Sequence, residues 1–307
     1  MVIAADAGGH DAGRPAWLPE RLFPFRSRYI TVEGCRLHYI DEGAGPTLLL
    51  LHGNPTWSFV YRDIVRGLSG RFRCVAPDYP GFGLSTAPPG YDYTPAAHAA
   101  IVERFVLALD LQGLGLMVHD WGGPIGFGVA ARHPERFRAL IVGDTFAWPV
   151  GDDPLLRLFS RFMGGAPGAF LIRNFNAFVN LLIPLSVWRR RVPAEVMAAY
   201  RGPFRRRAAR APIHVFAREL LGSRDYLAGV EAGLPRLAGL PALIVWGDRD
   251  PAFRARQRRR FERAFPRHRT VVLHGAGHYI QEDAAAEIVA AITAWWDAGV
   301  WGAEREA

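Results

Sequence analysis

The stretch "LGLMVHDWGGPIGFGVAARHP", residues 114–134, does most to limit the folds open to this chain. An apolar run ends at Asp120 and passes through Gly122 and Gly123 straight into a helical pattern. Continuous apolar runs of this length read as strands buried on both faces, which is the situation inside a parallel sheet covered by helices. The glycines permit a tight strand-to-helix turn, and such a turn projects its central side chain, here Asp120, from the carboxyl edge of the sheet. A lone Asp before a helix is commonly an N-cap. The rest of the chain has to decide between a cap and a reactive group.

The same alternation recurs along the sequence. Strand-like segments fall at 29–34, 36–43, 46–53, 72–78, 114–120, 138–144, 242–248 and 270–278, with helical patterns near 57–69, 94–109, 122–133, 254–264 and 284–297. The pattern predicts an α/β fold with a mostly parallel eight-stranded sheet flanked by helices, opened by a hairpin. Between Asp144 and Ala242 no convincing strand occurs, so this stretch reads as an inserted helical cap. The expected core is 19–145 with 237–298, and the expected cap is 146–236. The segment "FSRFMGGAPGAFLIRNFNAFVNLLIP" is apolar enough to roof a pocket, with Phe146, Trp148 and Phe170 as expected lining. The first ~18 and last ~8 residues are expected to fray.

Bulk properties narrow the setting. No apolar run is long enough to span a bilayer, and the opening residues lack a basic segment followed by an apolar one. Cys35 and Cys74 sit inside strand patterns without ligand-like spacing and read as reduced core thiols, which points to the cytoplasm. The net charge is +8 and every basic residue is arginine, with clusters at 189–210 and 254–269. No nucleic-acid motif accompanies them, so they read as solvated helix faces, with neither a nucleic-acid nor a membrane partner expected. Oligomeric state has no signature in the sequence.

Three features move Asp120 away from the capping role. His278, in "HGAGHYIQED", follows the last strand, where a general base is expected. A carboxylate to orient it is available at Asp250, in "WGDRD", or at Asp144, at the end of the sixth strand; Asp250 is favoured and Asp144 is the alternative. The loop "HGNPTW" after the third strand can supply an oxyanion-hole amide. A carboxylate with an ordinary pKa is already ionised at neutral pH, so Asp120 needs no base to attack a saturated carbon bearing a leaving group. The resulting ester is then hydrolysed by water activated by His278. Asn54 and Trp121 offer neutral N–H donors beside that centre, which suits a departing halide that needs solvation but no proton. The cycle needs no cofactor and no metal.

At this point "HGNPTWSF", "APDYPGFGLS", "HDWGGPIG", "AAYRGPF" and "GHYIQED" resemble the motifs of haloalkane dehalogenases of the α/β-hydrolase superfamily, over about residues 20 to 298. The resemblance implies that Asn54 and Trp121 bind the halide and that their backbone amides form the oxyanion hole. An Asp–His–Asp triad with an Asn–Trp pair resembles the third subfamily. The implied reaction is hydrolysis of a small apolar haloalkane to a primary alcohol, halide and a proton.

Two other readings stay open. An epoxide hydrolase would share Asp120, His278 and the acid, but would need tyrosine proton donors in the cap, where only Tyr200 and Tyr226 are available. The other is a non-catalytic binder of small apolar molecules on the same fold.

Overall fold

The computed structural model describes residues 4–6, 14–299 and 301. Among these, nine strands form one sheet: β1 (Ala4–Asp6), β2 (Arg28–Val32), β3 (Cys35–Glu42), β4 (Thr47–Leu51), β5 (Arg73–Pro77), β6 (Leu114–Asp120), β7 (Phe137–Thr145), β8 (Ala242–Gly247) and β9 (His268–Leu273). Their order is 1-2-3-5-4-6-7-8-9. The pairs β1–β2, β2–β3 and β3–β5 are antiparallel, and every pairing from β5 across to β9 is parallel. The eight expected strands are present, and the short β1 adds a ninth at the edge.

Strands β4 and β6 lie at the middle of the sheet, and all seven residues of β6 are buried. This is why their sequences run apolar without alternation: both faces are covered by helices. On the core, α1 (Arg62–Leu68) packs beside the C-terminal helix α12 (Ala285–Asp297), and α2 (Pro95–Ala108) beside α3 (Gly122–Arg132). Thr94 opens α2 by accepting a hydrogen bond from the Ala97 amide, with Pro95 in the first helical position, where its missing N–H costs nothing.

The insertion after β7 holds α4 (Pro154–Met163), α5 (Ala166–Phe175), a π-helical turn (Phe178–Leu182), α6 (Ile183–Leu185), α7 (Ala194–Arg201), α8 (Ala211–Gly222) and α9 (Arg224–Gly233). Asp153 caps α4 through the Leu155 and Leu156 amides, and α5 stops at Asn176 in the left-handed conformation, φ 51°. Helix α8 packs on α4 and α5, whereas α9 packs on α3, with the Tyr226 hydroxyl donating to the Pro124 carbonyl at 2.9 Å. The span 146–236 therefore contains helices over the sheet edge and, in α9, a helix that rests on the core. The chain returns through α10 (Ala255–Ala264), α11 (Ile280–Asp283) and α12 (Ala285–Asp297).

The expected fraying needs correction where the chain is described. Leu18 is buried, and Trp17 meets Trp57 edge to face at 5.9 Å. Trp301 stacks on Phe72 at 5.6 Å. Aromatic area buried against the core outweighs the tendency of chain ends to loosen. Most of the residues before Arg14 and those after Trp301 lie outside the described residues. Cys35 and Cys74 are buried, unbridged thiols, and burial pushes Cys35 up to about 11 and Cys74 up to about 12.

Candidate active site

Strand β6 delivers Asp120 at its last position with φ 48°, a left-handed conformation rarely adopted by residues with a side chain. The surroundings fix that conformation. Thr145 Oγ1 donates to the Asp120 carbonyl at 2.5 Å. A Cβ on Gly122 would lie 2.1 Å from the Leu51 carbonyl oxygen, and one on Gly123 would lie 1.9 Å from Thr145 Oγ1. Only glycine lets α3 start this close to β4 and β7.

The Asp120 carboxylate sits at the N-terminal end of α3 and accepts a hydrogen bond on Oδ1 from the Asn54 amide at 2.6 Å. Burial pushes its pKa above the ordinary carboxylate value, against the lowering influence of His278 and of the Trp121 and Asn54 amides. The ordinary pKa expected from sequence is thus corrected: a carboxylate closed off from water holds its proton more tightly.

His278 follows β9 and precedes α11. Its Nδ1 stands 2.9 Å from Asp250 Oδ2, and its Nε2 stands 3.8 Å from Asp120 Oδ2. Burial lowers the imidazole pKa, but Asp250 and Asp120 together more than offset this, so the net shift is upward. Asp250 is itself held by the Ala252 amide, which donates to Oδ1 at 2.7 Å. Asp144, near the end of β7, accepts from the Gly247 amide at 3.1 and 3.2 Å, and makes no hydrogen bond to His278 among the described residues. Burial and the nearby Asp250 charge raise its pKa well above the usual range.

His119 was not singled out in the sequence, although it directly precedes Asp120. Its Nε2 lies 2.8 Å from the His278 carbonyl oxygen, so that nitrogen carries the proton and donates. Its ring centroid is 4.7 Å from that of His278. Complete burial, then the His278 charge, hold its pKa well below the ordinary histidine value, so it is a neutral strut.

Asn54 and Trp121 both line a cavity of about 250 Å3 with Asp120, His278 and Tyr279. The Asn54 side-chain amide makes a long 3.3 Å bond to the Ile213 carbonyl, which leaves a second N–H free. Among the described residues no acceptor takes the Trp121 indole N–H. The outer walls are apolar and include Leu155, Phe159, Phe178, Leu182 and Phe253.

The expected lining is corrected here. Phe146 lies behind the wall, against Trp121 at 4.9 Å and Phe253 at 5.1 Å. Trp148 packs on Phe261 at 4.6 Å, and Phe170 is 59% exposed. The two cap tyrosines are occupied elsewhere: Tyr200 donates to Glu282 Oε1 at 2.5 Å, and Tyr226 to Pro124 as above. No group of His, Cys, Asp and Glu able to hold a metal ion occurs among the described residues.

One buried carboxylate ties the cap to this site. Glu282 takes a bidentate pair from Arg62 at 2.5 and 2.8 Å, the Tyr200 hydroxyl, and Arg190 at 2.9 Å. It therefore joins α1 and α11 of the core to α7 and the segment before it.

Residues 46–285 match the family model described as the alpha/beta hydrolase fold. The chain is 43% identical over 274 residues to haloalkane dehalogenase 2 of Mycobacterium tuberculosis, covering 89% of this chain and 95% of the relative. It is 35% identical over 279 residues to a cis-3-alkyl-4-alkyloxetan-2-one decarboxylase of Shewanella oneidensis, covering 88% of each. The solved structure of haloalkane dehalogenase DbeA from Bradyrhizobium elkani superposes with a TM-score of 0.83 at 28% identity, covering 91% of this chain and all of that one. The sheet order, the left-handed turn at Asp120 and these likenesses agree: the chain belongs to the haloalkane dehalogenase family of the α/β-hydrolase superfamily.

Proposed function

We propose that this protein hydrolyses carbon–halogen bonds with Asp120 as nucleophile, His278 as base and Asp250 as the acid that orients it. The observation that carries the reading is a buried carboxylate, Asp120, facing an apolar cavity with a histidine 3.8 Å away.

In the first step an Asp120 carboxylate oxygen attacks the carbon from the side opposite the halogen. The C–O bond forms as the C–X bond breaks, and the halide leaves with the bonding pair. Asn54 Nδ2 and the Trp121 indole solvate it without giving up a proton. The apolar walls exclude bulk water, which keeps the carboxylate poorly solvated and the donors effective.

In the second step His278 Nε2 takes a proton from water, and the oxygen adds to Asp120 Cγ. The Asn54 and Trp121 amides stabilise the oxyanion, and Asp250 stabilises the imidazolium. Collapse expels the alkoxide, which is protonated by His278 and leaves as the alcohol. Asp120 returns carrying one oxygen from water, and the halide and one proton are released.

Halide release from 1-bromo- and 1-iodoalkanes, with Asp120→Asn as control, tests the activity. A single turnover in 18O-water tests the mechanism, with label expected in the Asp120 carboxylate. Label appearing only in the alcohol would mean that water attacks the alkyl carbon directly, which would overturn the covalent route.

A second reading has specific support in the similarity to oxetanone decarboxylases. The same carboxylate facing an alkyl-lined cavity could open a β-lactone, which then loses CO2 to leave an alkene without consuming water. Gas chromatography of alkene from a cis-3,4-dialkyloxetan-2-one distinguishes the two: alkene formation faster than halide release would favour decarboxylation.

A further inference from the structure

The large apolar side chains that stand exposed among the described residues all fall within residues 155–188 of the insertion. On α4, Leu155 is 46% exposed, Leu158 66% and Phe162 49%; on α5, Phe170 and Phe175 are more than half exposed; beyond the π-helical turn, Leu185 reaches 69%. They are continuous with the cavity. Leu155 and Phe159 of α4 line it from one side, and Leu182 lines it from the other, next to exposed Leu181. Leu158 and Phe162 then follow at one-turn spacing along α4. The mouth of the cavity thus opens into an apolar face, a kind of surface that a soluble monomer seldom leaves uncovered.

Charge identifies what covers it. From Pro154 to Arg218 the chain carries twelve arginines and a single acid, Glu195, an excess larger than the whole chain's net charge of +8. Two of the acids at the borders of this stretch are already engaged, Asp153 with Arg254 and Glu219 with Arg218. Arg161, Arg173, Arg191, Arg205, Arg206 and Arg207 are exposed and make no ion pair among the described residues. Exposed phenylalanine and leucine bordered by unpaired arginine are what a layer with acyl chains below and phosphates above would recognise.

No single helix is long and apolar enough to cross a membrane, while α5 and the π-helical turn with α6 form an apolar pair bent by 81°. That shape suits lying within an interface.

We infer that the outer face of the cap, α4 through α6 with the arginines around it, docks on an anionic phospholipid bilayer and sets the cavity mouth against the lipid. This departs from the expectation of no membrane partner. In the sequence the apolar stretch reads as packing inward over the pocket, and only the fold reveals which of its side chains face out. Docking itself does not depend on which reaction the site performs. The proposed haloalkane adds the cargo: such molecules concentrate in acyl chains, so a mouth held at the bilayer would take them without a passage through water.

The test is co-sedimentation of the full chain with vesicles of mixed phosphatidylcholine and phosphatidylglycerol, against vesicles of phosphatidylcholine alone. Expected is at least about tenfold stronger binding to the anionic vesicles, weakened by salt. The combined variant Leu158→Ser, Phe162→Ser and Phe170→Ser, and separately Arg205→Glu, Arg206→Glu and Arg207→Glu, should each lower that binding by about tenfold or more. Turnover of a short, water-soluble bromoalkane should stay within about twofold in both, because none of these side chains touches the reacting groups. Equal or absent binding to both vesicle types overturns the inference. So does a dimer in solution that the serine variant dissolves, which would make the face a contact between two copies. Binding to duplex DNA that survives the serine substitutions, with no vesicle binding, would assign the arginines to nucleic acid and overturn it as well.

Discussion

His278 Nε2 stands 3.8 Å from Asp120 Oδ2, too far for a hydrogen bond, while its other ring nitrogen is held 2.9 Å from Asp250. The proposed base is therefore oriented from behind and leaves the proposed nucleophile free on the side where an ester would form. Replacing it separates the two steps. His278→Phe should give a stoichiometric burst of halide from 1-bromobutane and then stop, with the butyl ester of Asp120 visible as added mass. Absence of both burst and adduct would remove Asp120 as nucleophile.

Asp250 and Asp144 are distinguished by the same geometry. Asp250→Asn should lower kcat by about 10³–10⁴-fold, because the imidazole loses its orienting charge and its favoured tautomer. Asp144 contacts the Gly247 amide and not the histidine, so Asp144→Asn should cost less than about tenfold. Steady-state rates of the two variants check this, and the reverse ranking would make Asp144 the acid.

Asp250, and Asp120 while it is ionised, hold the His278 pKa up against burial; in the alkyl-enzyme Asp120 is an uncharged ester and only the Asp250 support remains. As pH falls through the His278 pKa of that state, His278 becomes protonated and can no longer take a proton from water, so ester hydrolysis slows. Rapid-quench measurements on the acid side should find the alkyl-enzyme accumulating. Ester hydrolysis that does not slow on the acid side would mean that His278 is not the base of that step.

Removing the indole N–H isolates the halide contact. Trp121→Phe should weaken bromide binding by about 1–2 kcal/mol, roughly five- to thirtyfold, and lower kcat/KM for bromoalkanes. Bromide inhibition constants report the first effect without depending on any change in Trp fluorescence. Unchanged inhibition would place the halide away from Trp121.

The core, the helical insertion and the residues that meet at the carboxyl edge of the sheet were legible in the sequence; which side chains of the insertion meet the cavity was not. The expected strand 114–120 and the observed β6 coincide, since a continuous apolar run closed by Asp and two glycines has few other conformations. Asn54, Asp120, Asp250 and His278 meet because each follows or ends a strand at the same edge of the sheet, and strand order brings those edges together. Helix α4 shows why the pocket walls were missed. It has one broad apolar face: Leu156 and Met163 on it are buried, whereas Leu155, Leu158 and Phe162 on the same face are exposed. Periodicity finds that face but cannot say which part of it meets the cavity, and packing against α5 and α8 decides. His119 escaped notice for another reason. Its partner is a backbone carbonyl 159 residues away, and residue type alone carries no sign of it.

Glu282 supplies a stability test. Burial raises its pKa, but hydrogen bonds and charge from Arg62, with Tyr200 and Arg190, more than reverse this, so the net shift is downward. A carboxylate with a lowered folded pKa stabilises the protein above its ordinary value, about 4.3, and loses that contribution as pH falls through the folded value. Glu282→Ala should cost about 3–5 kcal/mol at neutral pH, because Arg62 is left buried without its partner. Denaturant unfolding checks the loss, and Glu282→Gln should flatten the acid dependence of the melting temperature.

The same carboxylate also governs how molecules enter. Glu282 fastens the cap from inside, at Tyr200 and Arg190, to Arg62 on the core, a few residues from His278. A roof riveted this close to the reaction chamber cannot lift like a hinged door without breaking the buried Tyr200 hydrogen bond and the half-exposed Arg190 pair to Glu282. Traffic is then left to a doorway lined by Leu155, Phe159 and Leu182. The width of that doorway, and not the reactivity of Asp120, becomes the sieve that decides which molecules this enzyme meets.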